Sequence, residues 1–177
     1  MLNRKPFKEE YPEFFEGYIN LVREGNIIEI LSEQSQDLQE TLSLFSDEDA
    51  DKTYAFGKWT LKELVGHLID NERLFVARAL RISRGDKQML PGYDQDDYVK
   101  NGRFFRRPLK ELKEELLLLR AANILFFKSF DDHDLMQRGY VNDYEITVHG
   151  ILFVLAGHER YHIDFIKQTY VPLISKT

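Results

Sequence analysis

Residues 147–170 read TVHGILFVLAGHERYHIDFIKQTY. Ile151, Val154, Leu155, Phe165 and Ile166 recur at helical spacing, so the stretch is an amphipathic helix with one face to bury, and Pro172 sets its limit. The apolar run from Ile151 to Gly157 falls far short of the roughly 20 residues needed to span a bilayer. It reads as a buried bundle helix. Near its end His158 and His162 stand one turn apart, so their imidazoles can converge on a single ion.

Three further helices can be read outward from this one. Ile27, Leu31, Leu38, Leu42 and Phe45 define a helix over about Asn26 to Phe45, with Gly25-Asn26 at its entrance. Periodicity leaves its preface, Tyr18 to Val22, open between extended and helical. Thr60-Leu61-Lys62-Glu63 has capping-box spacing and opens a second helix that runs through Leu80. Pro108 opens a third, carrying Leu112, Leu116, Leu119, Ile124 and Phe127, with Asp131-Asp132 as its stop. The expected fold is all-α, a four-helix bundle forming one domain over residues 1–177. About 25 residues, Ser83 to Arg107, join the second and third helices. A connection of that length sets two helices parallel, or covers the mouth of a site.

Composition narrows the chemistry. The 177 residues are 43% hydrophobic and 13% aromatic, enough for a sizeable core. Lysine and arginine total 24 against 30 acidic residues, a net charge of -6, which argues against a nucleic-acid partner. Lys5, Lys8, Glu9 and Glu10 interrupt the opening, so no leader or membrane segment is expected and the location reads as cytoplasmic. Cysteine is absent, leaving histidine and carboxylate for any metal site.

His158-Glu159-Arg160-Tyr161-His162 satisfies H-E-x-x-H. In a zinc protease the glutamate would act as general base on a water. That reading fails on the third ligand, because Asp164 is the sole carboxylate after His162 and no histidine follows. His67, between Leu64 and Leu68 on the second helix, completes the set differently. It can turn inward at the edge of the core and leave a coordination position open. His133 and His149 belong to no comparable constellation.

Three segments, Trp59 to Arg73, Pro91 to Asp96 and Gly157 to His162, resemble in order and spacing the DinB-like superfamily, especially its YfiT-like branch of metal-dependent hydrolases and bacillithiol transferases. The resemblance covers about Tyr18 to Tyr170. It implies a four-helix bundle with a long crossover between helices 2 and 3, a homodimer, and one divalent ion per subunit, zinc or nickel, held by residues matching His67, His158 and His162. The family commonly has adjacent histidines where this chain has Tyr161-His162, so the ligand is retained as His162, while Tyr161 departs from the pattern at the position of any supporting or proton-transfer histidine.

The family context implies transfer of a low-molecular-weight thiol such as bacillithiol to an electrophilic small molecule. Metal-dependent hydrolysis by activated water is the alternative, followed by isomerisation and by a non-enzymatic metal-binding module. Glu159 is the candidate catalytic group, against an exposed helix-surface carboxylate. Asp70 and Glu72 are candidates to meet a ligand imidazole or an arginine, and Asn71 shares a surface with His67. Asn123 breaks the apolar stripe of the third helix and can orient a water or substrate. Tyr93, Asp94 and Asp96 in the crossover, with Tyr161, complete the candidates near substrate. Trp59, Phe104 and Phe105 read as packing or dimer contacts.

Overall fold

The computed structural model describes residues 1–174, and most of its helices begin where the sequence supplies a cap. The undecided preface is a short helix, α1 (Glu16–Leu21). The Asn26 side chain accepts from the Ile28 amide to start α2 (Ile27–Leu42). The expected capping box opens α3 (Leu61–Ser83), with Thr60 Oγ1 accepting from Glu63 N at 3.1 Å and Glu63 Oε2 from Thr60 N at 2.7 Å. Within the crossover lies α4 (Gln95–Gly102), capped by Asp94, and Pro108 precedes α5 (Leu109–Phe127).

Asp131 is a start as well as a stop, since it caps a short α6 (Asp132–Met136). A hairpin absent from the sequence reading follows: β1 (Arg138–Val141) pairs antiparallel with β2 (Tyr144–Thr147) around Asn142, whose φ is 50°. Thr147 then caps α7 (Val148–Phe165). A π-helical turn, Ile166–Tyr170, carries the chain into α8 (Val171–Ile174). Pro172 therefore does not end the helical path, which continues from the π-helical turn to Ile174.

Two apolar clusters fix the directions of the bundle. One joins Ile27 and Leu31 of α2, Phe75 and Ile82 of α3, Phe127 of α5, and Ile151 and Val154 of α7. The other joins Leu38 and Leu42, Leu61 and Leu68, Leu109 and Leu116, and Ile163 of the same helices, with Ile166 of the π-helical turn. Thus α2 and α7 run one way and α3 and α5 the other. Each member of the pair α2 and α3 packs on both α5 and α7. Residues 84–108 must consequently travel the length of the bundle, as a crossover between parallel helices requires.

That crossover is held against α3 by a close approach. A Cβ on Gly66 would lie 2.2 Å from the Phe104 ring, so glycine is what lets the ring seat on the helix. Leu90 also extends the hairpin, its amide donating to Tyr140 O and its carbonyl accepting from Asn142 N, each at 2.8 Å. Across the molecule, the N-terminal segment lies on α7 at Gly150 and Gly157, where added Cβ atoms would meet the carbonyl oxygens of Glu10 and Tyr18. Among the described residues no helix is long and apolar enough to cross a membrane.

Candidate metal centre and its two cavities

His67 lies two turns into α3, while His158 and His162 occupy successive turns of the antiparallel α7. The Nε2 atoms of His67 and His162 stand 3.1 and 3.2 Å from that of His158. All three ligand atoms lie within 4.8 Å of one another. An imidazole nitrogen presents one proton or one lone pair in the ring plane, so a single His158 Nε2 cannot satisfy both neighbours by hydrogen bonding. Three lone pairs directed at one cation resolve the conflict. Nitrogens bound tetrahedrally at about 2.0–2.1 Å would themselves be about 3.3 Å apart, close to what is seen.

The electrostatics favour neutral ligands. Burial lowers the pKa of His67 to about 4 and, with help from the charge His67 would carry, that of His162 to about 3. His158 is driven well below its ordinary value by burial and by both neighbouring histidines. At neutral pH the centre therefore offers three imidazoles in the form that binds divalent ions.

Aromatic rings wall the centre. Trp59 lies 5.1 Å from His67 between ring centroids, Tyr18 5.4 Å from His158, and Tyr161 5.2 Å from His162. Two cavities meet here and share Tyr18, Gln95 and His158. The larger, about 720 Å³, is lined by polar and aromatic groups including Tyr54, Trp59, Asp96, Tyr161 and His162. The smaller, about 300 Å³, runs between α3, α7 and the hairpin and is mainly apolar, with Phe15, Phe75, Ile151 and Val154 in its walls.

Residues 30–166 match the family model of the DinB superfamily. The chain belongs to the DinB superfamily. A "putative metal-dependent hydrolase" of Oceanobacillus iheyensis is 26% identical to this DinB protein over 136 residues, 73% of this chain and 75% of that one. Among solved structures, YfiT from Bacillus subtilis, described as a "probable metal-dependent hydrolase with an unusual four-helix bundle topology", superimposes with a TM-score of 0.72 at 19% identity. It covers 97% of this chain and 94% of its own. A mycothiol-dependent maleylpyruvate isomerase gives a TM-score of 0.62 at 11% identity, over 84% of this chain and 59% of that one. At these identities the structural matches establish the fold of this DinB protein.

The remaining candidates separate into two groups. Asn71, one turn beyond His67, donates to Tyr93 Oη at 2.9 Å, and both line the smaller cavity. Asp94 caps α4, and Asp96 lines the larger cavity. Asp70 is half-buried outside both linings, and burial raises its pKa.

Glu159, Glu72 and Asn123 are drawn elsewhere, into a buried layer between the two apolar clusters. There Arg120 engages all five of its N–H donors. Two go to Glu72, at 2.9 and 2.7 Å, two to Glu159, at 2.8 and 2.9 Å, and the fifth to Leu31 O at 3.0 Å. Asn123 Nδ2 donates to Glu72 Oε1. A rotation of roughly 100° per residue explains the split, for it turns Glu159 into the bundle while His158 faces the cavities. The candidate general base is neither exposed nor free: both of its oxygens are held by Arg120. Burial raises the Glu159 pKa despite the arginine, whereas the Glu159 and Glu72 carboxylates outweigh burial at Arg120 and raise its own.

Sequence reading missed Arg120, Tyr18 and the placement of Trp59 at the centre. Arg120 had a signal. Leu112, Leu116, Arg120, Asn123 and Phe127 are in phase on one face of α5, so an arginine in the core stripe required buried carboxylates opposite it.

Proposed function

We propose that this DinB protein is a divalent-metal-dependent transferase. With zinc or nickel at His67, His158 and His162, it joins a low-molecular-weight thiol such as bacillithiol to an electrophilic small molecule. The observation that carries the reading is the meeting of two cavities of unlike chemistry at His158. Hydrolysis needs one organic pocket and a water; group transfer needs room for two organic partners on the same centre. The larger, more polar cavity suits the thiol and the apolar one the electrophile.

The ion, when bound, lowers the pKa of a nucleophile at its open position and neutralises developing charge. Three imidazoles suit zinc or nickel. The chain has no cysteine, so the sulfur enters with the cosubstrate. In a displacement the sulfur–carbon bond forms, the leaving group departs with its bonding pair, and the thiol proton passes to solvent. Tyr18, shared by both cavities, and Tyr161 of the larger one, whose rings lie 5.8 Å apart, supply aromatic walls beside the centre. Glu159 acts as a positioning residue that anchors the ligand-bearing turn of α7 through Arg120. The mycothiol dependence of one structural neighbour supports a thiol reaction, while the names of the other two support hydrolysis.

Paired assays on metal-loaded protein test the reading. Bacillithiol with 1-chloro-2,4-dinitrobenzene should give the thioether above the uncatalysed rate, and His67→Ala should remove the excess. Cleavage of p-nitrophenyl acetate without thiol, with no thioether formation, would instead establish the hydrolase.

A further inference from the structure

The described residues contain three buried cationic side chains, and two of them are fully matched. Lys62 reaches Asp47 and Asp51, and Arg120 reaches Glu72 and Glu159. Arg78 is the third, 9% exposed, and among the described residues no carboxylate lies within ion-pair distance of it. One of its five donors is used, by Pro91 O at 2.9 Å. Its guanidinium otherwise rests on rings, 5.3 Å from the centroid of Phe75 and 6.0 Å from that of Tyr93. Burial lowers its pKa, partly offset by Tyr93 and Tyr98. Its spare donors open on the smaller cavity, and a bidentate anion is what the guanidinium fork accommodates.

Arg78 lines the smaller cavity at a distance from the histidines. His67, Asn71, Phe75 and Arg78 form one stripe of α3, and the eleven residue steps from first to last cover about 16 Å of helix axis. The arginine side chain leans back towards the helix start, which shortens the gap to a body of several carbons. Ile151, Val154 and His158 face the same space from α7. Midway, Asn71 Oδ1 is buried without a hydrogen-bond partner among the described residues. The cavity thus has a cationic end, apolar walls and, at its other end, His158 of the three-histidine centre.

We infer that the smaller cavity binds an apolar-bodied organic carboxylate, its acid group paired with Arg78 and its far end presented at His158. The inference rests on the proposed transferase in one respect, that this ligand is the electrophile. A carboxylate on the thiol cosubstrate would offer Arg78 the same chemistry.

The test compares 4-phenylbutanoate with its neutral amide, by calorimetric titration, in metal-loaded protein and in His67→Ala. The acid should bind at least ten-fold more tightly than the amide in both. Arg78→Gln should erase that preference while amide binding persists, and Arg78→Lys should restore part of it. Helical circular dichroism confirms that each variant is folded. Equal binding of acid and amide by the unsubstituted protein overturns the inference without any variant. So does a preference present with metal but absent in His67→Ala, which would place the acid on the ion and leave the metal reading standing. Conversely, a preference intact in a protein that binds no zinc or nickel would sink the transferase and keep the carboxylate site. Bacillithiol should not displace 4-phenylbutanoate from His67→Ala; displacement that is lost in Arg78→Gln would reassign the site to the thiol and overturn its assignment to the electrophile.

Discussion

His67 Nε2 and His158 Nε2 stand 3.1 Å apart although they lie ninety-one positions apart in the chain. The antiparallel contact of α3 with α7 makes that meeting, and the next turn of α7 adds His162. Removing any one imidazole leaves two ligands, too few to hold a divalent ion tightly. Loss of a mere supporting group around a metal already costs about 10–100-fold in affinity. His67→Ala, His158→Ala and His162→Ala should each weaken zinc binding by more than about 100-fold. His133→Ala, at an exposed residue beside Gln137, should leave it unchanged. Metal content by mass spectrometry after chelator-free purification checks this, and equal occupancy in all four variants would refute the triad.

The buried layer gives a stability prediction. Arg120→Met leaves Glu72 and Glu159 unpaired in the interior, at a cost of about 3–5 kcal/mol. Adding Glu159→Gln to it should recover part of the loss, because the stranded charge is then removed. Urea unfolding of the single and double variants measures both terms. A double variant as unstable as the sum of its parts would show that the arginine and glutamate act independently.

The metal-free protein should lose stability in acid. His67 falls from 6.5 to about 4 on folding, so between those values the unfolded chain takes up a proton that the folded chain refuses. Stability therefore declines as pH falls from about 6.5 towards 4. Chelator-treated wild type should show a steeper decline over that interval than His67→Ala, measured by thermal melts at stepped pH. Parallel curves would mean that His67 is not held neutral.

Gly157 tests the wall of the site. A methyl group there would come within 2.1 Å of Tyr18 O, so Gly157→Ala must push α1 off α7. A destabilisation of about 1–3 kcal/mol is expected from overpacking. Displacing Tyr18 also opens both cavities, so the affinity for an apolar probe should fall with it. Unchanged melting and unchanged probe binding would show that α1 can shift freely.

Much of the fold was legible because it is local. Thr60 and Glu63 announce a helix start by themselves, and Leu38, Leu42, Leu61, Leu64, Leu112 and Leu116 reveal buried faces by spacing alone. The hairpin was not legible: four-residue strands carry too little alternation, and they persist because Leu90 and β2 complete the backbone bonding. Nor did the preface declare itself, since α1 seats Tyr18 on Gly157 of a helix more than a hundred residues away.

The sequence by itself determined the helices, their inward faces and a pair of histidines one turn apart, because caps and periodicity act over a few residues. Tertiary structure decided which charges meet. It sent Glu159 to Arg120 instead of to the histidines, set Trp59 against His67, and left Arg78 buried with no acid beside it among the described residues. Such choices depend on the rotation of each helix about its axis and on which helices become neighbours, and packing of the whole bundle settles both at once.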